Sequence, residues 1–139
     1  MTTITEELLQ KLKASTNLES FFEQYENKFL PESLPEYLNQ LLNLKELKLS
    51  NIAKDSGVGE YTYKIFNGVR FPSRDILISI GFGMKLSLEE MQLLLRISKF
   101  AFLDSRDKRD SIIIYCLTHK MDVFTADDML EKHNMTTLN

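Results

Sequence analysis

The feature that most limits the possible folds is a recurrence of apolar residues at helical spacing, each run opened by a small capping residue and closed by glycine or proline. Leu18, Phe21, Phe22, Tyr25 and Phe29 recur at i, i+3, i+4, i+7 and i+11. That pattern makes one helical face apolar, and the face must be covered. The helix is predicted to stop before Pro31. Thr3 with Glu6, Ser33 with Glu36 and Ser87 with Glu90 share the spacing of a capping box, in which each side chain accepts from the other residue's free backbone N–H. The first box opens a helix carrying Leu8, Leu9 and Leu12. The second, with Pro35 pre-set for a helical first turn, opens one carrying Leu34, Tyr37, Leu38, Leu41 and Leu42. The third precedes Leu88, Met91, Leu94 and Leu95.

Between these runs the pattern predicts shorter helices. Ser50 is expected to cap one that carries Ile52 and Ala53 and ends at Ser56-Gly57, where glycine accepts the left-handed conformation. Another is predicted from Glu60 to Asn67, closing at Gly68, and Ser73 is expected to cap a helix with Ile76, Leu77 and Ile80 buried that gives way to Gly81-Phe82-Gly83. The unbroken stretch Ile112-Ile113-Ile114-Tyr115-Cys116-Leu117 suits a buried strand as well as a buried helix. Helical neighbours and the lack of a partner strand select helix. Thr125 is expected to cap a last short helix through Met129 and Leu130. The chain therefore reads as all-α.

A length of 139 residues with 43% hydrophobic side chains suits one ordinary core. Mixed charges and abundant Phe and Tyr argue against disorder. A single cysteine, Cys116, forms no disulfide within the chain, and with only His119 and His133 there is no ligand set for a structural zinc. A reducing cytoplasm is the expected setting, with no cofactor and no metal. No apolar run reaches the ~18 residues needed to span a bilayer, and acidic Glu6 and Glu7 stand where a secretory signal is basic. No membrane association is expected.

The net charge of −3 weighs against binding nucleic acid, because affinity for DNA comes largely from neutralising phosphates. Its distribution weighs the other way. Residues 44–85 hold seven basic against four acidic side chains, while 1–43 hold three against seven and 86–139 seven against nine. All five glycines lie between 57 and 83. The stretch with special backbone demands is thus also the basic one.

Residues 49–68 read as short helix, tight glycine turn, short helix, the layout of a helix-turn-helix whose second helix enters the major groove. Leu49-Ser50, Ile52-Ala53, Gly57-Val58, the run Tyr63-Lys64-Ile65-Phe66-Asn67-Gly68 and Arg70-Phe71-Pro72-Ser73-Arg74 resemble the XRE family, the lambda-repressor-like helix-turn-helix regulators of bacteria. Leu88-Glu89-Glu90 and Arg106-Asp107-Lys108-Arg109-Asp110 resemble a Gram-positive branch of that family with helical extensions. The spacing from Val58 to Gly68 is one residue shorter than the family pattern, with Gly59 and Glu60 where polar or basic residues are common.

The resemblance implies an all-α, lambda-repressor-like helix-turn-helix domain over 34–98, an N-terminal helical arm over 1–33 and a C-terminal helical extension over 99–139. It further implies a cytoplasmic transcriptional regulator that binds double-stranded DNA, probed through bases by Glu60, Tyr61, Thr62 and Lys64. Asn51, Asn67, Arg70, Ser73 and Arg74 are the implied phosphate contacts, while Tyr63, Ile65 and Phe66 are expected to face the core. A homodimer spanning two half-sites is expected, joined through Ile113, Leu117, Met129 and Leu130. The alternative is a protein-interaction module that keeps the fold with little DNA affinity.

Enzymatic readings have little support. Cys116 and His119 lie one helical turn apart, yet a small buried hydrophobe beside a helix-end histidine explains them without any orienting residue. Asp104, Asp107 and Asp110 interleave with Arg106, Lys108 and Arg109, and they lack the glycine and distal glutamate of a calcium loop. They read as a charged helix start. No phosphate loop, dinucleotide turn or nucleophile elbow is present.

Overall fold

The computed structural model describes residues 4–31 and 33–139, and every regular element in them is helical. Two compact units result, one over residues 1–30 and one over 31–139. The first contains α1 (Ile4–Ala14) and α2 (Leu18–Gln24), followed by a 3₁₀ turn over Glu26–Lys28. The expected cap Thr3 lies outside the described residues. The second helix is shorter than the apolar spacing suggests: its α-helical part ends at Tyr25, and of the aromatic stripe only Phe21 is buried, with Tyr25, Phe22 and Phe29 gathered round it. Asn17 opens it by accepting from the Ser20 N–H.

The second unit runs α3 (Leu34–Leu44), α4 (Leu49–Asp55), α5 (Tyr61–Phe66), α6 (Arg74–Gly83), α7 (Leu88–Ile97), α8 (Lys108–Thr118) and α9 (Val123–Lys132). A single hydrophobic cluster extends from Leu34 to Leu138. Residues 99–139 therefore share a core with 34–98. At its centre lies α6, where every residue from Leu77 to Gly83 is buried and α4, α7 and α9 pack around it.

This arrangement corrects the reading of Gly81-Phe82-Gly83 as a helix end. Both glycines are helical and set how closely neighbours approach: a Cβ on Gly83 would sit 2.8 Å from Ser56 Cβ and 3.0 Å from the Ile52 carbonyl oxygen of α4. One on Gly81 would collide with Met91 of α7.

The caps follow the sequence with two shifts. Ser33, Ser73 and Ser87 accept from the N–H three residues on, and Ser87 with Glu90 forms both halves of a capping box. Glu90 also takes the Lys45 ammonium at 3.0 Å. Ser50, however, lies inside the first turn of α4, which starts after Lys48 without a side-chain cap. Likewise Thr125 lies within α9, and the cap is Asp122, which accepts from the Thr125 N–H. At their other ends α3, α6, α7, α8 and α9 each turn through a left-handed non-glycine residue, Glu46, Lys85, Lys99, Lys120 and Asn134. The next N–H then bonds five residues back, and the hydrophobe that carries it, Leu47, Leu86, Phe100, Met121 or Met135, folds onto the core.

Two irregular segments are held by side chains. Arg74 of α6 pairs with Asp110 of α8, and the adjacent Asp75 pairs with the adjacent Arg109, a crossed double ion pair. Arg74 also donates to the carbonyls of Ala101 and Phe102, Gln92 brackets both backbone groups of Leu103, and Asp110 accepts from the Asp104 N–H. Arg109 donates to the carbonyls of Thr136 and Thr137. The α7–α8 connection and the segment after α9 are thus satisfied without regular structure.

Asp110→Ala would strand the Arg74 guanidinium and the Asp104 N–H, and chemical denaturation should register a loss of about 3 kcal/mol. The Asp122 carboxyl is held below the ordinary aspartate range by the Thr125 N–H. Its contribution is therefore complete above the ordinary aspartate value and lost as pH falls through the lower folded one. The stability gap between wild type and Asp122→Ala, about 1 kcal/mol near neutrality for a lost cap, should close on strong acidification.

Candidate nucleic-acid interface

Helices α4 and α5 are seven and six residues long, too short to persist alone, so their placement depends on packing. Inwardly, α4 buries Ile52 and Ala53, and α5 buries Thr62, Ile65 and Phe66. The Asn39 amide of α3 donates to the Phe66 carbonyl at 2.9 Å and ties down the end of α5. The turn between them contains Gly57 and Gly59 at φ +74° and +71°. It is closed by the Gly59 N–H on the Ala53 carbonyl and by the Val58 N–H on Ser56 Oγ.

The outward side is polar. Ser50, Asn51 and Lys54 share the exposed face of α4, while Glu60, Tyr63, Lys64 and Asn67, spaced i, i+3, i+4 and i+7, form that of α5. Of the seven cations in 44–85, Lys45, Arg74 and Lys85 are ion-paired. Among the described residues Lys48, Lys54, Lys64 and Arg70 have no carboxylate partner, and Glu60 does not pair with Lys64. The unpaired cations of 44–85 are thus the N-cap of α4, one residue each on α4 and α5, and one in the connection that follows.

Several expected roles change. Thr62 cannot reach a base edge: it is fully buried, and its hydroxyl has no hydrogen-bond partner. Tyr63, expected inside, is 40% exposed, because the inward face of α5 is formed by Thr62, Ile65 and Phe66, spaced i, i+3 and i+4, while Ile65 and Phe66 are buried as expected. Tyr61 is half-buried against the core, at the rim of the face. Arg74 is not available to phosphate, since its guanidinium is spent on Asp110, Ala101 and Phe102. Asn51, Asn67, Arg70 and Ser73 are exposed; Asn67 Oδ1 accepts from the Val69 N–H and Ser73 Oγ from that of Ile76.

The expected dimer residues are also corrected. Ile113 and Leu130 are fully buried, Leu117 is 6% exposed and Met129 packs against the same core. A charge at Ile113 or Leu130 would therefore unfold the chain rather than split a dimer.

Sequence reasoning missed the apolar collar beyond α5. Gly68, at φ +82°, closes α5 as the other helix ends are closed, but the hydrophobe that follows, Val69, stays 61% exposed, and Phe71 is 62% exposed beside Phe100. The exposed pattern Val69-Arg70-Phe71 was the available signal.

The other candidate clusters are structural. Burial pushes the Cys116 thiol up, and its sulfur lies 3.4 Å from that of Met129. Asp107 caps α8, Asp104 pairs with Arg106, and Asp110 belongs to the crossed pair. Among the described residues no group of three or more His, Cys, Asp or Glu could hold a metal ion, and no helix is long and apolar enough to cross a membrane. No family model, curated protein or solved structure matches the chain.

Thr62→Val keeps the volume and removes the stranded hydroxyl. It should raise stability by about 1 kcal/mol in denaturant unfolding.

Proposed function

We propose that the chain is a sequence-specific, double-stranded DNA-binding regulator in which α4, the glycine turn and α5 act as a repressor-type helix-turn-helix. The XRE resemblance of residues 49–74 agrees with this reading. The observation that carries it is the pair of exposed Lys54 and Lys64, neither ion-paired among the described residues, on the outward side of two helices whose inner faces are in the core, with exposed Arg70 just beyond α5. Such a rod can enter a major groove without exposing apolar surface.

In this reading Tyr63 and Lys64 donate to base edges, and Glu60 accepts from a cytosine amino group rather than meeting phosphate. Asn51, Asn67, Arg70 and Ser73 hold the backbone, fixing orientation more than sequence. Two copies on adjacent half-sites belong to the same proposal, with their contact outside the α8–α9 core.

One feature favours a second reading. The exposed Val69 and Phe71 flank Arg70, as in a protein-docking loop. Binding to mixed-sequence duplex across a salt series separates the two, because phosphate contacts make affinity fall steeply with salt. Wild type should show that fall, Arg70→Ala should lower the log–log slope by about one, and Lys64→Ala should lose about 1–3 kcal/mol on a selected site. Weak binding that ignores salt would leave the docking reading in its place.

A further inference from the structure

The turn between α4 and α5 is intrinsically loose, since two glycines within three residues restrict the backbone little. Around Gly59 there is open space: no atom lies within 4 Å of where a Cβ would stand. Gly57 differs. Its missing Cβ would meet the Phe124 ring of α9 at 3.2 Å and the Asn139 side chain at 3.3 Å. The turn is therefore covered from one side, by residues far along the chain.

That cover is itself fixed. The Asn139 amide donates to the Ser56 carbonyl at 3.2 Å, satisfying the group where α4 ends. Asp127 of α9 accepts from the backbone N–H groups of Leu138 and Asn139 at 2.6 and 3.2 Å. Leu138 is buried in the core, and Arg109 grips the carbonyls of Thr136 and Thr137 while holding Asp75 of α6. Residues 136 and 137 are thus tied to α8, residues 138 and 139 to α9, and Asn139 also to the end of α4.

We infer that segment 136–139 is a strap that fixes the α4–α5 turn, making Asp127 and Asn139 positioning residues for the outward face of α5. The consequence for DNA rests on the function proposed above; the mechanical role does not. Without the strap, Ser56 and Gly57 would keep the turn's own bonds, the close packing of Gly83 and the Phe124 ring, but would lose the Asn139 bond on the Ser56 carbonyl, and α5 would sample a wider range of angles before entering a groove. Ordering it on binding would then weaken every complex without removing a phosphate contact.

The test uses Asn139→Ala and Asp127→Ala in the full chain. Amide hydrogen exchange is followed at Val58, Gly59 and Thr62, with Leu94 and Leu95 of α7 as the reference. Both variants should speed exchange in the turn by about tenfold while leaving α7 unchanged. Duplex affinity should fall several-fold with the salt slope preserved. Turn exchange within twofold of wild type, or equal acceleration in α7, overturns the strap. Should wild type bind no duplex, the exchange comparison still decides the strap, and the DNA reading alone falls.

Discussion

The crossed ion pair between Arg74-Asp75 and Arg109-Asp110 is the constraint on which the second unit is organised. Each arginine neutralises one carboxylate and also supplies donors to carbonyls of a segment without regular structure. Half-buried charges are costly unless every lone pair and proton is used. Here they are nearly all used, so the two dipeptides fix at once the distance between α6 and α8, the path of residues 101–104 and that of 136–137. A hydrophobic contact of equal area would hold the helices together but would leave those backbone groups unpaired.

Because α6 is fixed from this end, it can serve as the axis against which α4 packs. The outward polar face of α4 and α5 then follows from burial alone: Ile52, Ala53, Thr62, Ile65 and Phe66 turn inward, and what remains faces water. The charge of that face arises by subtraction. Within 44–85, Lys45, Arg74 and Lys85 are consumed by structural pairs, leaving Lys48 and Lys54 at the two ends of α4, Lys64 on α5 and Arg70 after it.

Helix existence was legible in the sequence because apolar periodicity and capping chemistry are local, and Ser33, Ser73, Ser87 and Gly68 act as read. Where two candidate caps compete the local signal fails: Asp122 outcompetes Thr125 as the acceptor, and α4 begins with packing of Leu49 in place of a cap. The set at Asn51, Lys64, Asn67 and Arg70 was named through the XRE resemblance, and all four are exposed. Thr62 and Tyr63 exchanged places because burial in α5 follows the i, i+3, i+4 set of Thr62, Ile65 and Phe66, which puts a threonine inside and a tyrosine outside against residue type. Arg74 and the α8–α9 hydrophobes were misassigned for a different reason. Arg74 bonds to residues 27 to 36 positions away, and the α8–α9 hydrophobes pack on one another and on α6 and α7, relations about which periodicity carries no information.

The contact of Gly83 with Ser56 and Ile52 sets one position under tight steric constraint beside a face that has little. A methyl group there would lever α4 off its axis and tilt the whole outward surface, so this site tolerates almost no drift. Lys54 and Lys64 are exposed and, among the described residues, take part in no ion pair, so the fold does not depend on their identity. One scaffold can therefore carry different outward side chains at these positions, provided its helix crossing stays bare.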